Sequence, residues 1–161
     1  MLRYLTLLCL LTLQAFSSIP LQMTDAELAA KSDHLFVAHV IAVDMIDGKG
    51  RQITDTDAMT GPGLKNLIRL KVKIDQVLVT TAKEPPKELY IPLDPFMHYR
   101  FGEVKDAHTG DESKFLLLLA GDEFTPPQPG VFRRDLKLKS YFIKHVTTKK
   151  PKTPDEQKKT K

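Results

Sequence analysis

The sequence has one cysteine, no tryptophan, five serines and no uninterrupted apolar run of transmembrane length. A single cysteine excludes an internal disulfide framework and any zinc site built on several thiolates. The serines do not fall in a nucleophile-elbow G-x-S-x-G, and Ser113 adjoins Lys114 directly, so S-x-x-K chemistry is absent. No H-E-x-x-H and no glycine-rich phosphate loop occurs. The charge is also not one-sided, with 24 Lys and Arg against 20 Asp and Glu, and 42% of residues are hydrophobic. A disordered acidic chain is thereby excluded, and 161 residues suffice for one ordinary domain.

The first residues carry an address. Arg3 precedes an apolar stretch over residues 5–16, and the small residues Ala15, Ser17 and Ser18 follow. This is the order of a secretory signal peptide, with Ala15 and Ser17 in the −3 and −1 positions and residues 1–17 removed. The stretch is too short and too interrupted by Thr6, Thr12 and Gln14 for a membrane span, which needs about 20 apolar residues. Cleavage removes Cys9, so the exported chain would hold no cysteine. Small extracellular animal domains are commonly disulfide-rich, so this absence points to a bacterial envelope protein, periplasmic or secreted.

The other end carries the basic charge. Residues 146–161 hold six lysines against Asp155 and Glu156, together with Pro151 and Pro154 and no apolar residue after Val146. Arg3 accounts for one further positive charge, leaving residues 18–145 close to neutral. The composition predicts a disordered basic tail, with at most a weak contact to anionic membrane or glycan.

Between the two ends the patterns are those of a small β domain. Thr24 and Glu27 have capping-box spacing and predict a short helix over residues 25–32. Residues 35–43 are β-branched and apolar apart from His39, as in a well-covered strand. In residues 67–78, Ile68, Leu70, Val72 and Ile74 alternate with Arg69, Lys71, Lys73 and Asp75, placing the first set inward and the second in water. Strands are also expected over residues 87–93 and 114–120, with Pro92 confining the former to an edge or an end and the unbroken apolar run of the latter placing it under cover on both faces. Leu136, Leu138 and Phe142, at even spacing, predict a last strand or strand pair over residues 131–145. Residues 44–66 and 94–113 read as two long loops. The first is rich in aspartate but lacks the closing glutamate of a calcium loop.

Several positions together resemble a known pattern: Glu27, Leu28, Ser32 and Asp33, then Val37 and Val40, then Val72, Val77 and Leu78, then Gly110, Phe115, Leu116, Leu117 and Leu119. This order is similar to that of secreted bacterial OB-like domains sharing the netrin/tissue-inhibitor-type barrel. The resemblance covers about residues 24–125 and implies a mainly β fold, an OB-like barrel of five antiparallel strands. It departs at Val79-Thr80, where Lys-Gly is usual, and at Gly110, which lies several positions ahead of Phe115. The chain also lacks the amino-terminal cysteine through which animal metalloproteinase inhibitors chelate zinc, so that chemistry does not carry over. The expected domain spans residues 18–145.

No nucleophile–base constellation is visible, so catalysis is not expected, and no cofactor or metal is assigned. His98 and His108 share one loop with Asp106, Asp111 and Glu112, but without a ligand-specific spacing. His39, alone in an apolar run, reads as a hydrogen-bonded residue of the core or edge. The basic alternation of residues 69–73 reads as the wet face of a strand, and an exported protein meets little nucleic acid.

The richest segment is residues 96–101, where Phe96, His98, Tyr99, Arg100 and Phe101 surround Met97. Aromatic residues with arginine in a loop are the composition of a protein-binding hot spot, and equally of a loop folded back to plug a barrel mouth. The sequence supports an exported, non-catalytic protein-binding or inhibitor module, such as an immunity protein against an envelope-directed toxin or enzyme. The alternatives are an envelope structural or ligand-carrying domain and, third, a metal-dependent hydrolase.

Overall fold

The computed structural model describes residues 23–147. The expected leader, and the basic tail beyond Thr147, lie outside the described residues. Among the described residues no helix is long and apolar enough to cross a membrane.

The chain enters through α1 (Asp25–Lys31), one residue shorter than its spacing suggests. The capping box forms as expected: the Glu27 N–H donates to Thr24 Oγ1 at 3.2 Å, and the Thr24 N–H donates to the Glu27 carboxylate at 2.9 Å. Leu28 and Ala29 turn inward, and Ser32 ends the helix with its hydroxyl bonded to the Leu28 carbonyl.

Two long strands make the frame. β1 (His34–Ile46) and β2 (Leu67–Val79) pair antiparallel, and β3 (Glu88–Pro92) joins the far edge of β2. β4 (Phe115–Leu119) pairs with residues 34–38 of β1, and β5 (Arg133–Arg134) adds a two-residue edge. The sheet order is β3-β2-β1-β4-β5, all antiparallel. Pro92 lies on the edge strand, where its missing N–H costs no central ladder bond.

The central strands bury both faces. Phe36, Ala38, Val40, Leu70, Val72, Ile91, Phe115, Leu117, Leu119 and Phe132 form the core on one side. Leu35, Val37, Leu116 and Leu118 face the other way, against Leu28, Phe142 and Val146. Every residue of β4 is buried, which accounts for its unbroken apolar run. The alternation in β2 also holds: Ile68, Leu70 and Val72 are at most 1% exposed, while Arg69 and Lys71 reach carboxylates outside. A buried Leu or Phe of this kind contributes about 1.5–3 kcal/mol relative to an exposed one.

Three irregularities in the β1–β2 register bend the long strands. The sheet curls enough that Phe132, just before β5, shares a core with Ile91 of β3. Gly130 sits at φ +72°, where a Cβ would lie 3.1 Å from Asp94 Cβ, so the turn before β5 touches the segment after β3. Yet no ladder joins β3 to β5 among the described residues. The sheet is open, and the closed barrel expected from sequence is not formed by hydrogen bonding.

Two elements differ from expectation. Residues 131–145 are not mainly strand: after β5 come a 3-10 turn (Leu136–Leu138) and α3 (Lys139–Thr147). Leu138, Phe142 and Val146 recur at i, i+4, i+8, a helical stripe that packs on the α1 side of the sheet. Val146 is 4% exposed, so it belongs to the core and not to a solvated tail. The second difference is α2 (Phe101–His108), inside what reads as an open loop. Its Phe101 and Val104 sit one turn apart and cover the end of the sheet near Met45 and Ile68.

Candidate functional site

The two long loops are one structural unit. The Phe101 N–H donates to the Ala58 carbonyl at 2.9 Å, the Gly102 N–H to the Thr56 carbonyl at 2.8 Å and the Thr60 N–H to the Tyr99 carbonyl at 3.0 Å. Thr60 completes the seam. Its hydroxyl donates to the Met97 carbonyl at 2.7 Å and accepts from the Tyr99 N–H at 3.2 Å, and the residue is 1% exposed. Gly61 lies directly against the His98 ring, where a Cβ would come within 2.6 Å of Nδ1. A side chain at residue 61 would force the loops apart.

The aspartates of the first loop are occupied by this local architecture. Asp47 accepts from the Arg51 N–H and pairs with the Arg51 guanidinium, and it accepts further from the Lys49 N–H, contacts that hold its carboxyl below the usual range. Asp55 accepts from the Asp57 N–H. These are turns closed on themselves.

The seam divides residues 96–101. Phe101 is 4% exposed and packs with Met45 and Ile68. Tyr99 is half-buried beside the same cluster, and burial, with the nearby Asp94, pushes its phenol up. Phe96 is 70% exposed, and Met97, His98 and Arg100 are also exposed. Arg100 meets the exposed carboxylates of Asp57 at 3.0 Å and Glu103 at 3.4 Å, surface pairs of little energetic weight. The segment is thus divided: Phe101 covers the sheet end and Phe96 projects into solvent.

Sequence reasoning missed the apolar residues that the first loop exposes. Met59 and Leu64, on the first loop, are exposed as well. Asn66 donates its side-chain amide to the Met59 carbonyl at 3.1 Å, and Met59 bridges to Arg100 across the seam. Four large apolar side chains therefore stand out from two loops tied together by backbone bonds. No sequence signal links Met59 to Arg100, because the bridge is long-range.

The histidines separate. His34 is fully buried, bonded to Thr80 at 2.8 Å and to the Gly121 carbonyl at 3.0 Å, with the Phe124 ring tilted against it at 4.5 Å. His39 bonds to Asp75 at 2.8 Å. Burial raises the Asp75 carboxyl, but the bonds from His39 and Lys114 outweigh it and leave a net lowering. His98 rests on Gly61, whereas His108 lies at the end of α2, facing β1. No group of three or more potential metal ligands comes together among the described residues. The basic row of β2 is largely neutralised: Arg69 binds Asp44, Lys71 binds Glu88, and Arg69 stacks over Tyr90 at 4.5 Å.

Comparison with known proteins finds no matching family model, no similar curated protein and no similar solved structure.

Proposed function

We propose that this protein is an exported, non-catalytic protein-binding or inhibitor module of OB-like type, acting in the periplasm or outside the cell on an envelope enzyme or toxin. The contact surface is the paired-loop tip. Phe96 and Met97 supply apolar anchors, Met59 and Leu64 widen the patch, and His98, Tyr99 and Arg100 add polar reach.

The observation that carries this reading is the 70% exposure of Phe96 on a loop held by five hydrogen bonds to its neighbour. A large aromatic held in water by a rigid frame loses little conformational freedom on binding, which is how hot-spot anchors reach high yield per residue. The signal-peptide pattern of residues 1–17 supports export, and the lack of a nucleophile–base motif in the sequence supports a binding role.

The test is capture from the envelope fraction of the producing cell, using tagged mature protein and the double variant Phe96→Ala, Met97→Ala. Loss of about tenfold or more of a specific captured protein, with the far-ultraviolet spectrum and melt unchanged, is the expected result. Equal capture by both forms would reject the tip as the contact surface.

A further inference from the structure

The β1–β4 ladder stops early. It pairs residues 34–38 of β1 with β4 and ends at Ala38–Phe115. On the same side of β1, the next backbone partners are Ile53, at Met45, and Gln52, at Ile46. Residues 39–44 therefore have no strand beside them on that edge, while β2 remains paired on the other. The open length is about 20 Å, at roughly 3.3 Å per residue. Met45 directs its carbonyl to this edge, where it accepts from the Ile53 N–H at 2.8 Å. By strand alternation Val43 directs its own main-chain groups the same way. Ile41 has no partner in the β2 register and is 41% exposed.

The parting has a local cause. Beyond α2, Gly110 takes φ +75°, and the Asp111 carboxylate accepts from the Ser113 N–H at 2.9 Å. This turn occupies the residues just ahead of β4, where a longer strand would begin. The result is a slot of about 450 Å³ between residues 39–43 on one wall and Lys105 with residues 108–112 on the other. Its volume lies within the range of natural ligand clefts, about 300–1,000 Å³.

One residue of the slot wall, His108, also carries a polar atom without a partner among the described residues. His108 Nδ1 is buried and has no hydrogen-bond partner in the structure. Burial, and then Arg133, lower the His108 pKa, so the ring is held in its neutral form, able to accept or donate one bond. Lys105 and Glu112 stand on the slot wall without ion pairs among the described residues. The site is thus a sheet edge with main-chain groups to satisfy, flanked by one positive and one negative side chain.

We propose that this slot is a strand-addition site: an extended peptide segment enters between β1 and the α2–β4 connection and pairs with residues 39–43. The complementary peptide carries an acidic residue for Lys105 and a basic one for Glu112. Main-chain bonds supply affinity and alternate side chains supply selectivity, as in other β-augmentation sites. A second copy of this chain fits less well, since its own residues 39–43 carry no acid to meet Lys105.

The test uses a displayed library of random octapeptides selected on the full exported chain, followed by amide and imidazole NMR of the chain with the strongest binder. The expected result is enrichment of alternating peptides bearing both charges. Perturbed amides should lie at residues 39–43 and 105–112, with a shift of the His108 ring signals. Thr109→Trp, on the exposed wall, should weaken binding about tenfold or more, and the pair Lys105→Glu, Glu112→Lys should favour peptides of reversed charge order. No enriched peptide, perturbations located elsewhere, or unchanged affinity in Thr109→Trp would overturn the proposal. Concentration-dependent broadening of the same amides without peptide would assign the slot to a second copy and would also overturn it.

Discussion

Replacing Phe101 and Phe96 by alanine, one at a time, separates the two roles found within six residues. Phe101 is 4% exposed against Met45, Ile68 and half-buried Val104, Tyr99 and Leu93. A buried aromatic removes about 150 Å² or more from water. At about 25 cal/mol per Å² this is close to 4 kcal/mol, within the usual loss of about 3–5 kcal/mol for an emptied aromatic site. The site has little means of collapsing, because the Phe101 N–H is tied to Ala58 and a Cβ on Gly102 would stand 3.0 Å from the Thr56 carbonyl. Phe96, at 70% exposure, has almost nothing to lose, and its removal should stay within about ±0.5 kcal/mol. Urea unfolding of both variants, followed by far-ultraviolet circular dichroism, gives the two values on one scale. A loss above about 1 kcal/mol for Phe96→Ala, or below about 1 kcal/mol for Phe101→Ala, would refute the division.

Three further outcomes are expected. Thr24→Ala removes one half of the capping box and should cost about 0.5–2 kcal/mol in the same denaturation assay, with Thr24→Ser retaining most of it. Truncation after Thr147 removes a segment without apolar residues and should change stability by no more than about 0.5 kcal/mol, whereas truncation after His145 also removes buried Val146 and should cost about 1.5 kcal/mol or more. The third outcome concerns pH. Burial and Arg133 lower His108, Asp111 opposes them, and the unfolded histidine titrates near its ordinary pKa of about 6.5. The folded group takes up its proton at lower pH than the unfolded one, so its contribution is whole above about pH 6.5 and is lost as pH falls through the folded value. Unfolding free energies measured from pH 8 to 5 should show a decline that His108→Asn reduces; an identical decline in the variant would remove His108 as its source.

The two missed helices were missed for different reasons. α2 has no capping side chain at Arg100, and its second residue is Gly102, a poor helix former. The segment becomes helical because Phe101 and Val104 have a sheet end to cover, a demand made by Met45 and Ile68 from other elements. α3 was legible in principle through Leu138, Phe142 and Val146, but the even spacing of Leu136, Leu138 and Phe142 matches a strand equally well over so short a run. Conversely, α1 was readable to within one residue, because Thr24 and Glu27 act locally and need no tertiary partner. The candidate site divides in the same way. The composition of residues 96–101 marks them as notable, but which side chains are buried depends on the seam with residues 56–60, some 40 positions away in the chain.

Four features arise from neighbours along the chain and were readable there: the capping box of α1, the inward and outward faces of β2, the double burial of β4 and the edge position of Pro92. These follow from period, volume and missing donors, which any folded context respects. Tertiary structure decided what depends on contacts between distant segments. It joined the two long loops through Thr60, placed Phe101 inside and Phe96 outside, and left the sheet open between β3 and β5. It also parted β4 from β1 after Ala38, leaving six residues of strand edge beside a histidine without a partner. The physical reason is that a backbone group must be paired somewhere, and only the assembled sheet reveals which groups have found a partner.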